Sequence, residues 1–260
     1  MMRGLWDREM VALLLIAALA PMGLAWLWSE GSDAVARLAF ALVVAGAWHV
    51  VFMLARAQPP SLAGAITALA VAMLAPEDLG AFRLALGISF GVVFGELVFG
   101  GWGRNVVNPA TVTLAFLGFG FPAFGWPDFV LPVAWAAIGA GAIGVALGVM
   151  PLGVIAGATL VGGLSWVAGL PVGPVLPAAA IALVLMVADP VASPDTALGR
   201  WLHGGLYGAL VLMFATGWDG SAPVQICVAA ALLASLAAPL FDEIAIALWV
   251  MRRRRRHGGP

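Results

Sequence analysis

"ITALAVAMLAPEDLG", residues 66–80, is a short apolar run that ends at a proline and an acidic turn. A helix needs about 20 apolar residues to cross the hydrocarbon core of a membrane, so this run is too short to cross by itself. The chain repeats the pattern in "AIALVLMVADPVASP", residues 180–194. Short apolar segments at corresponding places in the two halves of a chain are typical of folds built from an internal repeat.

The residues around these two runs are mostly apolar. Of 260 residues, 63% are hydrophobic and only 10% are charged, whereas about 25% of the residues in a soluble domain are charged. The composition therefore predicts an integral membrane protein with no nucleic-acid partner. Cys227 is the only cysteine, which excludes an internal disulfide bond, and the three histidines are scattered singly, which favours no metal centre.

Charged residues and clusters of glycine and proline divide the chain into ten apolar segments. These are residues 10–28, 34–55, 61–75, 81–99, 109–122, 130–149, 152–169, 174–188, 204–215 and 224–241. We expect an all-α polytopic membrane protein with about ten transmembrane helices in a single domain, residues 1–260. The first segment lacks a cleavage site of small residues and is interpreted as a retained helix rather than a signal peptide.

The arginines indicate the orientation, because cytoplasmic loops of membrane proteins carry an excess of positive charge. With the N-terminus inside, ten of the twelve arginines fall on the cytoplasmic side, and only Arg37 and Arg83 fall outside. Both termini are then cytoplasmic. The basic tail, residues 252–260, is expected to contact anionic lipid through Arg252–Arg256, with docking of a soluble partner as the alternative.

The two halves share more than the short runs. Gly101-Trp102 corresponds to Gly217-Trp218, and Pro109 corresponds to Pro223. Each half, about residues 1–126 and 127–251, would hold five helices, and an odd number of crossings makes the second copy inverted. Inverted repeats place their sites near the middle of the membrane, where paired short helices meet.

"FGGWGRNVVNPA", residues 99–110, is the most polar stretch between two apolar segments. It is not a Walker loop, because no Gly-Lys-Ser/Thr follows, and no strand precedes it as a Rossmann fingerprint requires. One interpretation is a tight turn at a helix break, where glycines let backbones approach and asparagines bond to free backbone groups. The other is a set of donors that face a ligand: Gly100, Gly101, Gly103, Asn105 and Asn108.

Two carboxylates are candidates for an ion pathway. Asp189 follows the short eighth segment, and a charge near the membrane interior is costly enough to indicate function. A water-exposed capping role is the alternative for Asp189. Glu96 is the only carboxylate well inside an apolar segment; it could relay a proton or an ion, or pair with Arg104.

Residues 85–122 and 184–212 carry the motifs Gly-Gly-x-Gly-x-Asn-x-x-Asn-Pro-Ala and Asp-Pro-Val-x-x-Pro. With these motifs the chain resembles the NqrB/RnfD family, which comprises the NqrB subunits of sodium-translocating NADH:quinone oxidoreductases and the RnfD subunits of Rnf complexes. The likeness covers most of the chain from about residue 60 onward. It implies two inverted five-helix repeats, similar to urea transporters, in a multi-subunit redox complex of the bacterial inner membrane. Such a complex passes electrons through flavins and couples their flow to sodium or proton movement.

One family feature is missing. The resemblance implies an FMN attached to the threonine of a Ser-Gly-Ala-Thr motif after the fifth helix, but "FPAFGWPDFVLP", residues 121–132, has no serine or threonine. The nearest match ends at Thr159, inside an apolar segment where small residues favour helix packing. We therefore expect FMN or riboflavin, if bound, to be held without a covalent bond, and the resemblance allows a quinone as well.

Three functions remain open from the sequence. The family motifs favour a non-autonomous membrane subunit of an oxidoreductase complex, with other membrane and soluble subunits as partners. The missing attachment threonine keeps open a small-solute or ion channel of urea-transporter-like fold without redox chemistry. The arginine tail keeps open a membrane anchor for a soluble partner.

Overall fold

The computed structural model describes residues 7–56 and 61–257, with side chains to residue 253. Over these residues it contains ten α-helices and no β-strand. The helices are α1 (Arg8–Glu30), α2 (Ser32–Arg56), α3 (Ala63–Leu74), α4 (Gly80–Gly95), α5 (Pro109–Gly120), α6 (Leu131–Ala146), α7 (Leu152–Val167), α8 (Leu176–Ala182), α9 (Ala197–Gly217) and α10 (Pro223–His257). Each predicted apolar segment corresponds to one helix, which confirms the all-α polytopic fold.

Within the described residues, four stretches are long and apolar enough to cross a membrane by themselves: Arg8–Glu30, Ser32–Arg56, Gly80–Phe99 and Pro223–Arg253. α10 is longer than predicted, because only Pro239 interrupts its run and the following arginines are good helix formers. The predicted tail thus continues α10 as far as His257, and residues 258–260 lie outside the described chain.

α9 also begins earlier than predicted, at Ala197 rather than residue 204. Thr196 caps it: its hydroxyl oxygen accepts a hydrogen bond from the Gly199 N–H at 3.0 Å. The first turns carry Arg200 and a buried His203, which made this part of the helix too polar to be recognised from hydropathy alone.

The short helices α3 and α8 lie at the centre of the bundle. α3 packs against α1, α2 and α5, and α8 packs against α6 and α10. α8 continues as a π-helical segment, Leu183–Val187, in which every side chain is buried. Broken helices are tolerated inside a membrane only where protein covers the break. The burial of α3, α8 and the π-helical segment therefore agrees with the prediction of two short helices inside the bundle. The inverted relation of the two halves stays a prediction.

Small residues allow the closest helix contacts. A methyl group on Gly204 of α9 would overlap the Val154 carbonyl of α7, and one on Gly91 of α4 would overlap Thr113 of α5. Close approach through glycine is a common way for helices to associate in lipid, where the hydrophobic effect gives little help. These contacts fix α7 on α9 and α4 on α5.

Candidate functional site

The chain between α4 and α5 forms a compact turn, residues 96–108, which we call the signature turn. It begins with Glu96 and a single turn of 3₁₀ helix, Leu97–Phe99. Gly100, Gly101 and Gly103 then have φ values of 107°, 89° and 95°. Only glycine adopts this left-handed region without steric cost, so the backbone itself requires the three glycines.

The backbone N–H groups of the signature turn bond within the turn. The Gly101 N–H donates to the Glu96 carbonyl at 3.1 Å, and the Trp102 N–H donates to Glu96 Oε1 at 3.1 Å. The Gly103 N–H donates to Asn105 Oδ1 at 3.2 Å, and Asn105 Nδ2 donates to the Val107 carbonyl at 3.2 Å. These bonds match a tight turn, and ligand binding by the glycines and Asn105 stays a prediction.

The side chain of Asn108 makes hydrogen bonds to two separate parts of the structure. Its Oδ1 caps α5 by accepting hydrogen bonds from Ala110 N–H at 2.9 Å and Thr111 N–H at 3.4 Å. Its Nδ2 donates to Asp189 Oδ2 at 3.0 Å. The cap explains why α5 begins at Pro109, because the first helical position needs no N–H. The second bond joins the signature turn to the loop after α8.

Asp189 is buried, with 7% of its surface exposed. Its Oδ1 accepts a hydrogen bond from the Val191 N–H at 3.0 Å, so both oxygens have protein partners. The alternative of a capping aspartate in water is therefore not what the structure shows. We call the contact of Asn108 with Asp189 the junction, because it joins the breaks that follow α4 and α8.

A small cavity of about 20 Å³ adjoins the junction. Its lining includes Asn108, Asp189, Trp102 and the side chain of Thr67 on α3. A single water needs about 10–15 Å³ of such volume, so the cavity has room for one water-sized occupant beside polar groups.

Glu96 lies in the same buried region and is fully shielded from solvent. Its Oε1 lies 3.2 Å from His49 Nε2 on α2. The predicted pairing with Arg104 is wrong, because the Arg104 guanidinium belongs to an exposed residue of the turn while the carboxylate points inward. The sequence offered no sign of His49, a single histidine on a separate apolar helix.

Arginines from three elements gather at the signature turn. Arg8 Nη1 donates to the Trp102 carbonyl at 3.0 Å, and Arg56 Nη1 donates to the Val98 carbonyl at 3.4 Å. Arg104 belongs to the turn itself. All three were predicted to lie on the cytoplasmic side, and the structure brings them to one end of the bundle.

A larger cavity of about 500 Å³ lies at the opposite end of α1, roughly 34 Å away along a helix of 23 residues. Its lining includes five carboxylates: Glu30, Asp33, Glu77, Asp78 and Asp128. Arg37 reaches the C-terminal end of α3 there and donates to the carbonyl oxygens of Ala75 and Pro76. Sequence reasoning noted acidic loops on this side but not that they share one cavity.

Thr159 lies apart from the other candidates. It is exposed on α7, and its hydroxyl donates to the Ile155 carbonyl of its own helix at 2.8 Å. It lines an apolar cavity of about 860 Å³ between α6, α7, α8 and α9, whose lining contains no charged residue. A phosphate at Thr159 would face this apolar surface, so the surroundings do not fit a covalently attached FMN.

Comparison with known proteins gives a family. Residues 6–156, more than half of the chain, match the model of the NQR2, RnfD, RnfE family. The B subunit of the Na(+)-translocating NADH-quinone reductase of Yersinia pestis is 29% identical over 84% of this chain and 67% of its own length.

Other relatives match over a shorter region. The same subunit of Stutzerimonas stutzeri is 39% identical over 83 residues, which is 32% of this chain and 21% of the relative. That of Pseudomonas paraeruginosa is 42% identical over 79 residues, or 30% of this chain and 20% of the relative. The chain therefore matches about two thirds of the length of the first relative and about one fifth of the others.

Proposed function

This chain belongs to the NQR2, RnfD, RnfE family, and we propose that it is an integral membrane subunit of a redox complex in the bacterial inner membrane. Its partners are then other membrane and soluble subunits, as the name of the Yersinia pestis relative suggests. The proposed task is to support electron transfer linked to flavin or quinone and to couple it to ion movement. Both termini face the cytoplasm in this proposal.

The junction is the observation that carries the coupling. It places a buried carboxylate, Asp189, against the amide of Asn108 where two interrupted helices meet. Ionisable groups inside a membrane bundle mark ion pathways, and breaks in paired helices are where such pathways hold their ions. We assign Asp189 and Glu96 as the carboxylates of the ion pathway. The water-sized cavity beside the junction is then an intermediate binding position between helices.

The acidic cavity near Glu30 supports the same proposal. A mouth lined by five carboxylates raises the local concentration of cations. It lies at the other end of α1 from the three arginines of the signature turn, so the two ends of the bundle differ strongly in charge. An ion that moves between these ends passes the level of α3 and the junction.

Substitution at the junction tests the ion pathway. In vesicles that contain the complete complex, Asp189→Asn should lower the rate of redox-driven ion uptake by roughly ten-fold or more. A ten-fold decrease corresponds to an increase of about 1.4 kcal/mol in the free-energy barrier to ion movement. Asp195→Asn is the matched control, because Asp195 is an exposed carboxylate of the same loop. Equal uptake by the two variants would contradict the assignment of Asp189.

The redox part of the proposal has its own test. The purified complex should show flavin absorbance, and after denaturation and filtration this absorbance should be in the filtrate rather than with the retained protein. The mass of this subunit should be that of the unmodified chain. That result is expected because Thr159 lies on an apolar surface, with its hydroxyl bonded to its own helix. A complex without flavin, quinone or redox partner would overturn the proposal.

A small-solute or ion channel is the second candidate, favoured by the acidic cavity and by the poor fit of Thr159 to FMN. A channel would conduct in proteoliposomes that hold this chain alone, without electron donor or acceptor. A redox subunit would conduct only with its partners and with electron flow, so the two functions are separable by one flux measurement.

A further inference from the structure

The hydrogen bonds of His49 define where its protons are. Nδ1 lies 2.9 Å from the Ala45 carbonyl oxygen, one turn earlier on α2. A carbonyl oxygen can only accept, so Nδ1 carries a hydrogen and donates it. In a neutral imidazole with that hydrogen, Nε2 has a lone pair and can only accept.

Nε2 faces Oε1 of Glu96 at 3.2 Å. An ionised carboxylate also has only lone pairs, so a neutral ring and an ionised acid would place two acceptors against each other. The contact therefore contains one hydrogen more than those two forms supply. It belongs either to the imidazolium or to a carboxylic acid.

The other hydrogen-bond positions of the Glu96 carboxyl group also indicate an additional proton. Oε1 already accepts the Trp102 N–H at 3.1 Å, and Oε2 is buried without a hydrogen-bond partner among the described residues. A buried carboxylate oxygen without a partner is costly, and a proton or a positive neighbour removes most of that cost.

We propose that Glu96 and His49 form a proton-binding site that holds one exchangeable proton between Oε1 and Nε2. The site is tied to the signature turn, because Oε1 also holds the Trp102 N–H and the Glu96 carbonyl accepts the N–H groups of Phe99 and Gly101. Loss of the proton places two acceptors together, which pushes Glu96 from His49 and loosens the turn.

The charged groups around the pair come from several elements. Glu9 of α1 interacts electrostatically with His49, and Asp189 interacts with Glu96. Arg8 of α1, Arg56 of α2 and Arg104 lie at the signature turn. The guanidinium groups of Arg8 and Arg56 bond to backbone carbonyl oxygens of the signature turn rather than to Glu96 or His49.

The imidazole ring of His49 packs directly against α3. A Cβ built on Gly64 would lie 2.7 Å from His49 Cε1, so the ring rests directly on the α3 backbone. Gly64 is therefore a positioning residue for the pair. A side chain at this position would push the ring away without removing either titratable group.

This inference deepens the proposed function, since it names the proton as the ion that Glu96 binds, and it rests on that function only for its role in transport. The test needs no electron flow. The full chain in lipid nanodiscs is labelled with ¹⁵N in its three histidines, and the protonation of both ring nitrogens is followed by NMR across pH. The His49→Gln variant assigns the signals.

We expect His49 Nδ1 to stay protonated and the Nε2 signal to change in a single transition as pH rises, because Nε2 loses the hydrogen that it carries or that Glu96 donates to it. Glu96→Gln should abolish that transition, because the glutamine amide donates to Nε2 while its oxygen still accepts from Trp102. No transition in the wild-type chain, or the same transition in Glu96→Gln, overturns the proposal. If the transition is found but redox-driven ion uptake is absent, the proposed function fails and the proton site remains.

A second pair of variants applies even if Glu96→Gln does not fold. Gly64→Ala should shift the His49 transition away from its wild-type pH, because the methyl group displaces the ring from Glu96. Gly46→Ala is the matched control on α2, since nothing lies within 4 Å of a Cβ there. Equal titration in wild type, Gly64→Ala and Gly46→Ala overturns the proposal.

Discussion

Asn108 combines two tasks in one side chain, and single substitutions can separate them. Its oxygen caps α5, and its nitrogen donates to the buried Asp189. Asn108→Ser keeps a capping oxygen but loses the donor to Asp189. We expect it to start α5 normally and to lower the free energy of unfolding by about 1–3 kcal/mol, the cost of leaving a buried polar group unsatisfied.

Asn108→Leu removes both tasks, so a further loss of about 1 kcal/mol for the cap is expected. Thermal unfolding in detergent measures both variants, and Asn105→Ser is the comparison within the signature turn. Equal stability of Asn108→Ser and wild type would show that the contact with Asp189 contributes nothing. If instead the Asn105 variant folds and loses bound flavin, Asn105 faces the ligand.

The start of α9 depends on a carboxylate from another helix. Asp242 of α10 accepts hydrogen bonds from the N–H groups of Asp195 and Thr196, each at 2.9 Å, and from the Thr196 hydroxyl at 2.6 Å. Asp242→Ala should fray the first turn of α9, which hydrogen exchange would detect as faster exchange near residues 197–203. Glu243→Ala is the control, because Glu243 is exposed. Unchanged exchange in Asp242→Ala would show that Thr196 caps α9 alone.

The contact of α7 with α9 depends on a missing side chain. Gly204→Ala places a methyl group against the Val154 backbone, which cannot move like a side chain. Overpacking typically costs about 1–3 kcal/mol, and we expect a loss at the upper end of that range in thermal unfolding. Gly205→Ala has nothing within 4 Å of its new methyl group and should not lower the stability, since alanine is the better helix former by about 1 kcal/mol. Similar midpoints for both variants would contradict this packing.

The orientation is a property of the whole molecule and can be tested with the single cysteine removed. In a Cys227→Ala background, Asp33→Cys should react with a membrane-impermeant maleimide added outside intact cells. Arg253→Cys should react only after the membrane is opened, because the arginine-rich end of α10 is expected in the cytoplasm. The opposite labelling pattern would contradict the predicted orientation of both termini.

Helix number and order followed from the sequence because they depend on local properties. Apolar runs bounded by proline and glycine define helices whatever their neighbours are. The start of α5 at Pro109 was predicted for the same reason, and a tight turn before it was one of two interpretations that the sequence left open. Helix ends were less predictable: the start of α9 depends on Asp242, a distant residue, and hydropathy misses a polar first turn.

Pairs of residues that are distant in the chain could not be read from a single sequence. The two motifs around Asn108 and Asp189 were each identified, but neither spacing nor composition indicates that the two side chains meet. The partner of Glu96 is a second example of a contact that the sequence does not indicate. Arg104 is near in sequence but exposed, whereas His49 comes from α2 and lies within hydrogen-bonding distance.

The sequence by itself therefore determined that this is a polytopic helical membrane protein of the NQR2, RnfD, RnfE family, since apolar length and motif spacing are local. The tertiary structure decided what the polar residues do. Inside a bundle a buried polar atom is stabilised by a hydrogen-bond partner, and that partner is whichever group the packing of distant helices brings near. That requirement joins Asn108 to Asp189 and Glu96 to His49.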